Sequence, residues 1–404
     1  MTPAPDDGRQ GDSRADSGRS DEGRAGGGRA EDRTGEDHAA DSDLRKAGGL
    51  SGRTGGASRA SHGLVLAALG GLLLASLTAG LAIGSVHVPP GQVWAIVSHA
   101  LGADWGDQDW TRARETIVLD IRAPRVLLGA VTGAGLAVVG TAMQALLRNP
   151  LAEPYLLGIS SGASLGAVLM IVSGVAVLGP LTLPSAAFAG ALATLAVVYV
   201  MARTGGRMTS ARLVLAGVAV ASTLTAVMDL LLITADRGNQ AREILAWTLG
   251  GLGGVQWDTL WLPAGALALS VGLLLTRARS LNLLLAGEEA AATMGLDVAR
   301  FRARLFVVLS LVTGVMVASA GPIGFVGLIL PHAVRLLTGG DHRRLLPAAA
   351  LAGAVFLVWA DIAARTLAAP MEIPVGVLTA LCGGPFFLWL MRRDARRNSE
   401  RGAA

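Results

Sequence analysis

The chain reads as an all-α polytopic membrane protein of about ten transmembrane helices, and three observations carry that expectation. Hydrophobic residues make up 52% of the chain and charged residues only 16%, with a mean hydropathy of +0.52; an ordinary soluble domain is about 25% charged. From Gly63 onward the apolar residues fall into runs close to the roughly 20 residues that a helix needs to cross a bilayer. The runs are rich in glycine, of which the chain has 54, and small residues let helices pack closely where lipid removes any hydrophobic drive between them.

Residues 1–62 differ in composition from the rest of the chain. They hold 10 basic and 12 acidic side chains among Gly, Ser and Ala, a composition that predicts a disordered tail. The short basic start and directly adjoining apolar run of a secretory signal are missing there. The membrane domain is expected over 63–393. Its spans fall near 64–86, 125–147, 156–176, 184–202, 211–234, 257–276, 302–320, 323–337, 345–367 and 374–391, the eighth too short to cross cleanly. Residues 394–404 form a short C-terminal tail. Small residues at four-residue spacing (Gly129 with Gly133; Gly158, Gly162 and Gly166; Gly250 with Gly254) predict tight helix faces.

An even number of spans puts both termini on one side. Positive residues favour the cytoplasmic side of short loops. With the tail inside, seventeen arginines fall in internal segments against seven in external ones (112, 114, 122, 125, 237, 242 and 365), so both termini are expected in the cytoplasm. Arg122, Arg125 and Arg365 are external exceptions at span ends. Fixed, outward-facing guanidinium groups suit carboxylates of an extracytoplasmic partner; anchoring to lipid headgroups is the alternative.

The stretch RAPRVLLGAVTGAGLAVVGTAMQALLRNPLAEPYLLGISSGA, residues 122–163, joins two glycine-rich spans through a polar, proline-broken turn. Broken helices at membrane depth are tolerated only where protein covers them or a water-filled path runs past them, which points to transport. Intramembrane charge is sparse: Asp229, His332, Arg335 and Asp361 lie near span ends and make no carboxylate relay of the kind ion coupling needs. The single lysine, Lys46, lies in no GxxxxGK[ST] loop, so an ATP site of that type is absent from the sequence. The single cysteine, Cys382, excludes an intrachain disulfide and a cysteine-cluster metal site. No HExxH pattern supports a membrane hydrolase.

The longest internal loop, LNLLLAGEEAAATMGLDVARFRAR over 281–304, is patterned for docking. Gly287, Glu288 and Glu289 open a short Ala-rich helix that Gly295 ends, and Leu296 to Arg300 can start another turn. An apolar edge beside exposed acids suits a groove on a soluble partner; an ordinary interfacial loop is the other reading.

Across 64–393, the fragments RxPR, NPLAEPxLLGISSGA, WxLGGLGGVxW, GEEAAATMGLDV, GFVGLILPHAVRL, DHRRLLPAAALAGA, ADIAAR and EIPVGVLTALCGGPFFLWL succeed one another in an order that resembles the FecCD-type permease family. These are membrane subunits of type II ABC importers for iron-siderophores, haem and cobalamin. The resemblance implies ten helices per subunit, a second permease subunit, the same chain or a similar one, two cytoplasmic ABC ATPases and an extracytoplasmic substrate-binding protein. ATP and Mg2+ then belong to the ATPase and no cofactor to this chain; no nucleic-acid partner is expected. Gly287, Glu288, Glu289, Ala290, Met294, Gly295 and Leu296 match the family's coupling helices. Asn149, Leu151, Thr209 and Ser210 match its cytoplasmic gate, with Ala211 standing where many relatives carry a hydroxyl. Arg122, Arg125 and Arg365 match arginines that pair with the binding protein. The expected role is a non-enzymatic permease for a ferric siderophore in the cytoplasmic membrane, with haem or cobalamin as alternative cargo and an ion-coupled transporter as the rival class.

Overall fold

The computed structural model describes residues 62–103, 109–176, 178–204, 207–235 and 238–402. The predicted tail lies outside the described residues, except that His62 already begins the first helix. Among the described residues, seven helices are long and apolar enough to cross a membrane, and three shorter apolar helices accompany them. That makes ten, each within a few residues of its expected place.

In chain order the helices are α1 (His62–Ala82), α2 (Pro90–Ala100), α3 (Arg112–Thr116), α4 (Ala123–Leu147), α5 (Ile159–Ser173), α6 (Thr182–Ala202), α7 (Ser210–Ile233), α8 (Gly238–Thr248), α9 (Trp261–Thr276), α10 (Ala278–Ala286), α11 (Glu288–Thr293), α12 (Val298–Ala320), α13 (Val326–Thr338), α14 (His342–Thr366) and α15 (Val375–Gly402). A widened π-helical stretch over Ile117–Arg122 joins α3 to α4 in one apolar run. A two-residue hairpin, β1 (Arg203–Thr204) with β2 (Arg207–Met208), links α6 to α7. Four caps start helices where the sequence changes from polar to apolar. Thr111, Thr209, Asp297 and Asp341 accept the N–H groups of Arg114, Arg212, Arg300 and Arg343.

Helix α4 is buried along nearly its whole length and packs against α14, α12, α13 and α9. Glycine makes this possible. A Cβ on Gly133 would run into the Gly353 carbonyl of α14, and one on Gly140 into Gly327 of α13. The same device joins α5 to α6 through Gly162, Gly166 and Gly190. The expected face of Gly250 with Gly254 is corrected: both have positive φ (73° and 72°) in a loop, so their role is backbone reversal and not helix packing.

The polar segment 394–402 continues α15 as helix; residues such as Arg and Glu favour helix once the apolar stretch has nucleated it. Helices α2 and α8 lie between the spans.

Replacing Gly140 or Gly133 by Val is predicted to lower the melting temperature in detergent sharply, overpacking costing about 1–3 kcal/mol or more where backbone cannot move. Gly272→Ala, in open space on α9, is predicted to leave it unchanged or slightly raised.

Candidate functional site

At the arginine-rich end, α10, α11 and the start of α12 form a compact reversal. Gly287, at φ 117° and ψ 159°, turns the chain between α10 and α11 in a conformation that L residues avoid. Glu288 and Glu289 open α11, where negative charge complements the helix dipole. Its other end is closed by Gly295 N–H to the Ala292 carbonyl (2.9 Å) and Leu296 N–H to the Ala291 carbonyl (3.0 Å). Ala291 is fully buried, while Glu289, Thr293 and Met294 are exposed, Met294 by 62%. The expected apolar edge with acid beside it is therefore present.

Glu288 behaves differently from Glu289. Its carboxylate pairs with Arg302 of α12 at 2.7 Å and lies 3.9 Å from Arg148, the left-handed residue that ends α4. The first acid ties the segment inward, whereas Glu289 has no ion pair among the described residues. A second tie runs from α10 to α14. Asn282 donates to Asp341 (2.7 Å) and accepts from the His342 backbone N–H (3.0 Å), with the His342 ring nitrogen 2.6 Å from the same oxygen. Partial burial pushes the Asp341 carboxyl up, but the Asn282 and Arg343 N–H donors and the charges of Arg343 and Arg344 outweigh it and hold it below its ordinary value. With the folded pKa depressed, this tie is present at neutral pH and is lost as pH falls below about 3.8.

The predicted gate residues take two separate places. Asn149 accepts the Leu151 N–H (2.9 Å) and so shapes the turn after α4. Thr209 caps α7, and Ser210 is its first residue. Among the described residues no hydrogen bond joins the two pairs. The turn meets α7 higher up, where Gly158 packs against the Gly217 carbonyl.

Glu153 was missed by sequence reasoning. Its carboxylate accepts the backbone N–H of Phe325, a residue held at φ 67° just before α13. In α13 the ring of Pro331 removes the N–H that would bond the Gly327 carbonyl; the Gln144 amide donates to that carbonyl and to Leu328 (both 3.4 Å), while accepting from Arg335 (2.9 Å). A lone glutamate inside NPLAEPYLLG was the available signal.

At the other end of the bundle, Arg122, Arg125 and Arg365 do cluster, but their expected outward orientation is corrected for two of them. Arg122 is 4% exposed and donates to the carbonyls of Leu81 (2.7 Å), Ala82 (3.1 Å) and Val86. Arg365 is 8% exposed and donates to Gly80 (3.1 Å) and Ile83 (3.2 Å). Together they cap the last turn of α1, whose carbonyls have no partner within the helix. Buried Asp361 pairs with Arg125 (2.8 Å) and Arg365 (3.0 Å), and Arg125 reaches exposed Glu372 (2.9 Å). Arg125 is only slightly less buried, its side chain 11% exposed and held by Asp361 and Glu372, and Asp361 is a structural partner.

Beside this cluster, three chain breaks converge. Gly251 N–H donates to the Ala320 carbonyl (3.0 Å), and Gly376 packs on the Leu249 carbonyl. Between these breaks lies a hollow of about 500 Å³, lined by Arg125, Trp247, Gln256, Asp258 and Glu372 among apolar neighbours. Non-helical backbone lining a hollow in a helix bundle is how membrane transporters build a solute path. Among the described residues, no cluster of acids, histidines or cysteines could hold a metal ion.

Residues 72–393 match the FecCD transport family. The chain belongs to the FecCD transport family. It is 47% identical over 288 residues to the hemin transport system permease protein HmuU of Yersinia pestis, covering 70% of this chain and 85% of that protein. It is likewise 47% identical over 284 residues to the cobalamin import system permease protein BtuC of Halobacterium salinarum, covering 70% and 75%. The vitamin B12 import system permease protein BtuC of Salmonella typhi is 40% identical over 303 residues, covering 74% and 92%. A solved structure described as an inward-facing conformation of a metal-chelate type ABC transporter superposes with a TM-score of 0.71 at 29% identity, over 81% of this chain and 99% of the other. This FecCD chain is thus a multi-pass membrane permease of the ABC importer type.

Asp361→Asn strips a shared partner from two arginines, and breaking a buried pair costs about 3–5 kcal/mol. Thermal unfolding in detergent is predicted to show that loss, while exposed Glu372→Gln costs about 1 kcal/mol or less.

Proposed function

We propose that this chain is the membrane subunit of an importer for a bulky metal chelate of the haem, cobalamin or ferric-siderophore class, powered by ATP hydrolysis in partner subunits. The observation that carries the reading is the pairing of two features on one scaffold: a weakly polar hollow where three chain breaks meet, and a helical reversal at the opposite end that leaves Glu289 and Met294 free. A path lined by apolar and small residues passes a large ligand without holding it, so affinity falls to an extracytoplasmic binding protein. The ferric-siderophore reading rests on the sequence resemblance, whereas the relatives given above are hemin and cobalamin permeases. Chelate import is what these share.

Two copies, or this chain with a similar one, would flank the path. The α10–α12 reversal would sit in a cleft on an ATPase and pass its motion inward through Glu288 to α4 and α12 and through Asn282 to α14. ATP-bound and hydrolysed partners would then bias two arrangements of the spans by differential contact. The binding protein would dock at the arginine-poor end, where Glu372 offers charge at the surface beside Arg125, and Arg122 and Arg365 hold the corner rigid. The arginine bias supports both termini lying in the cytoplasm.

Uptake of radiolabelled haemin, cobalamin and ferric siderophore by cells lacking the chain, rescued by wild type or variants at matched surface level, tests this. Wild type is predicted to restore one of the three, and Glu289→Arg to lower that uptake at least tenfold while inserting normally. Rescue of none overturns the cargo class; full activity of Glu289→Arg overturns the coupling face.

A further inference from the structure

A groove of about 630 Å³ opens at the arginine-rich end, between the last turns of α6 and α9 and the first turns of α12. Its floor is aliphatic and aromatic, built from Leu273, Leu274, Phe301 and Val308. One wall is Tyr199, which stacks on Phe306 at 6.3 Å between ring centroids. The rim is cationic: Arg277, Arg300 and Arg304 line it, and the Arg203 guanidinium lies 5.9 Å over the Tyr199 ring. All four arginines are exposed. Among the described residues, the only acid lining the groove is Asp297, which caps α12 and pairs with Arg300 at 3.3 Å. Among those same residues, the side chains of Arg277 and Arg304 have neither an ion pair nor a hydrogen-bond partner.

We infer that this groove holds an anionic phospholipid, its acyl chains on the Leu273–Val308 floor and its phosphate between Arg277 and Arg304. The apolar floor lies along spans, and the cations stand at the span ends, which is the depth order of chain and headgroup in a bilayer. Long arginine side chains at helix ends reach toward the interface, and basic pockets between transmembrane helices suit anionic headgroups. Charge decides the class of lipid. A zwitterionic headgroup would leave the surplus of arginine over Asp297 uncompensated, whereas an anionic one adds a net negative charge where two guanidinium groups lack partners. Leu296 and Asp297 belong to both the groove and the turn between α11 and α12, so the bound lipid would brace the end of the reversal. The lipid site requires no particular cargo and stands apart from the transport reading.

Native mass spectrometry of the full chain purified in detergent tests it, with phosphatidylglycerol titrated against phosphatidylcholine of identical acyl chains. Phosphatidylglycerol is expected to be retained preferentially, and Arg277→Gln and Arg304→Gln each to weaken retention roughly fivefold. Arg279→Gln, an exposed arginine at the same end but outside the groove, is expected to leave it unchanged. Leu273→Trp, which fills the floor and leaves every arginine in place, is expected to lower retention as well. Equal retention of the two lipids, or insensitivity to Arg277 and Arg304, overturns the assignment. Loss of lipid from wild type accompanied by a shift to a dimer assigns the groove to a second copy and overturns it too.

Discussion

A peptide group at membrane depth must find its hydrogen bond inside the protein, because lipid offers none. Several of this bundle's polar side chains answer that requirement. Arg122 and Arg365 cap the end of α1, and Gln240 donates to the Ile171 and Val172 carbonyls near the end of α5. Gln144 takes the carbonyl freed by Pro331, Glu153 takes the N–H of Phe325, and the Trp257 indole N–H takes the Leu119 carbonyl of the π-helical stretch.

Helix α4 connects the two ends of the bundle. One end carries Arg125 in the Asp361 cluster, its middle meets α14 and α13 glycine to glycine, and its other end reaches Glu288 of α11 through Arg148. Packing without intervening side chains leaves little slack, and a tightly packed helix transmits displacement instead of absorbing it. Glu288 of α11, the turn at Asn149 and, through Glu153, the loop at Phe325 all adjoin this one tightly packed helix.

Much of this was legible in the sequence. Span lengths are dictated by bilayer thickness, so the ten helices fell close to their expected places, and the Gly287–Gly295 reversal was marked by its own start and stop residues. Roles of charged residues were less legible. Arg122 and Arg365 read as outward-facing because they lie at the ends of apolar runs, yet an arginine near one helix end can reach the bare carbonyls of another helix far away in the chain. Glu288 and Glu289 look alike in sequence, and only the fold puts Arg302 beside the first. Gly250 and Gly254 have helix-face spacing but lie in a loop, since spacing alone does not distinguish packing from reversal. Helix α8 carries little apolar character and escaped a search tuned to long apolar runs.

The central claim is that an ATPase partner drives movement through this chain, with no ion gradient involved. Its most direct test is accumulation of the cargo by proteoliposomes holding the chain with its ATPase and binding protein, with ATP supplied and proton and sodium gradients collapsed by ionophores. The account predicts that uptake persists without the gradients and stops without ATP. Uptake that survives ATP removal and vanishes with the gradients would contradict it.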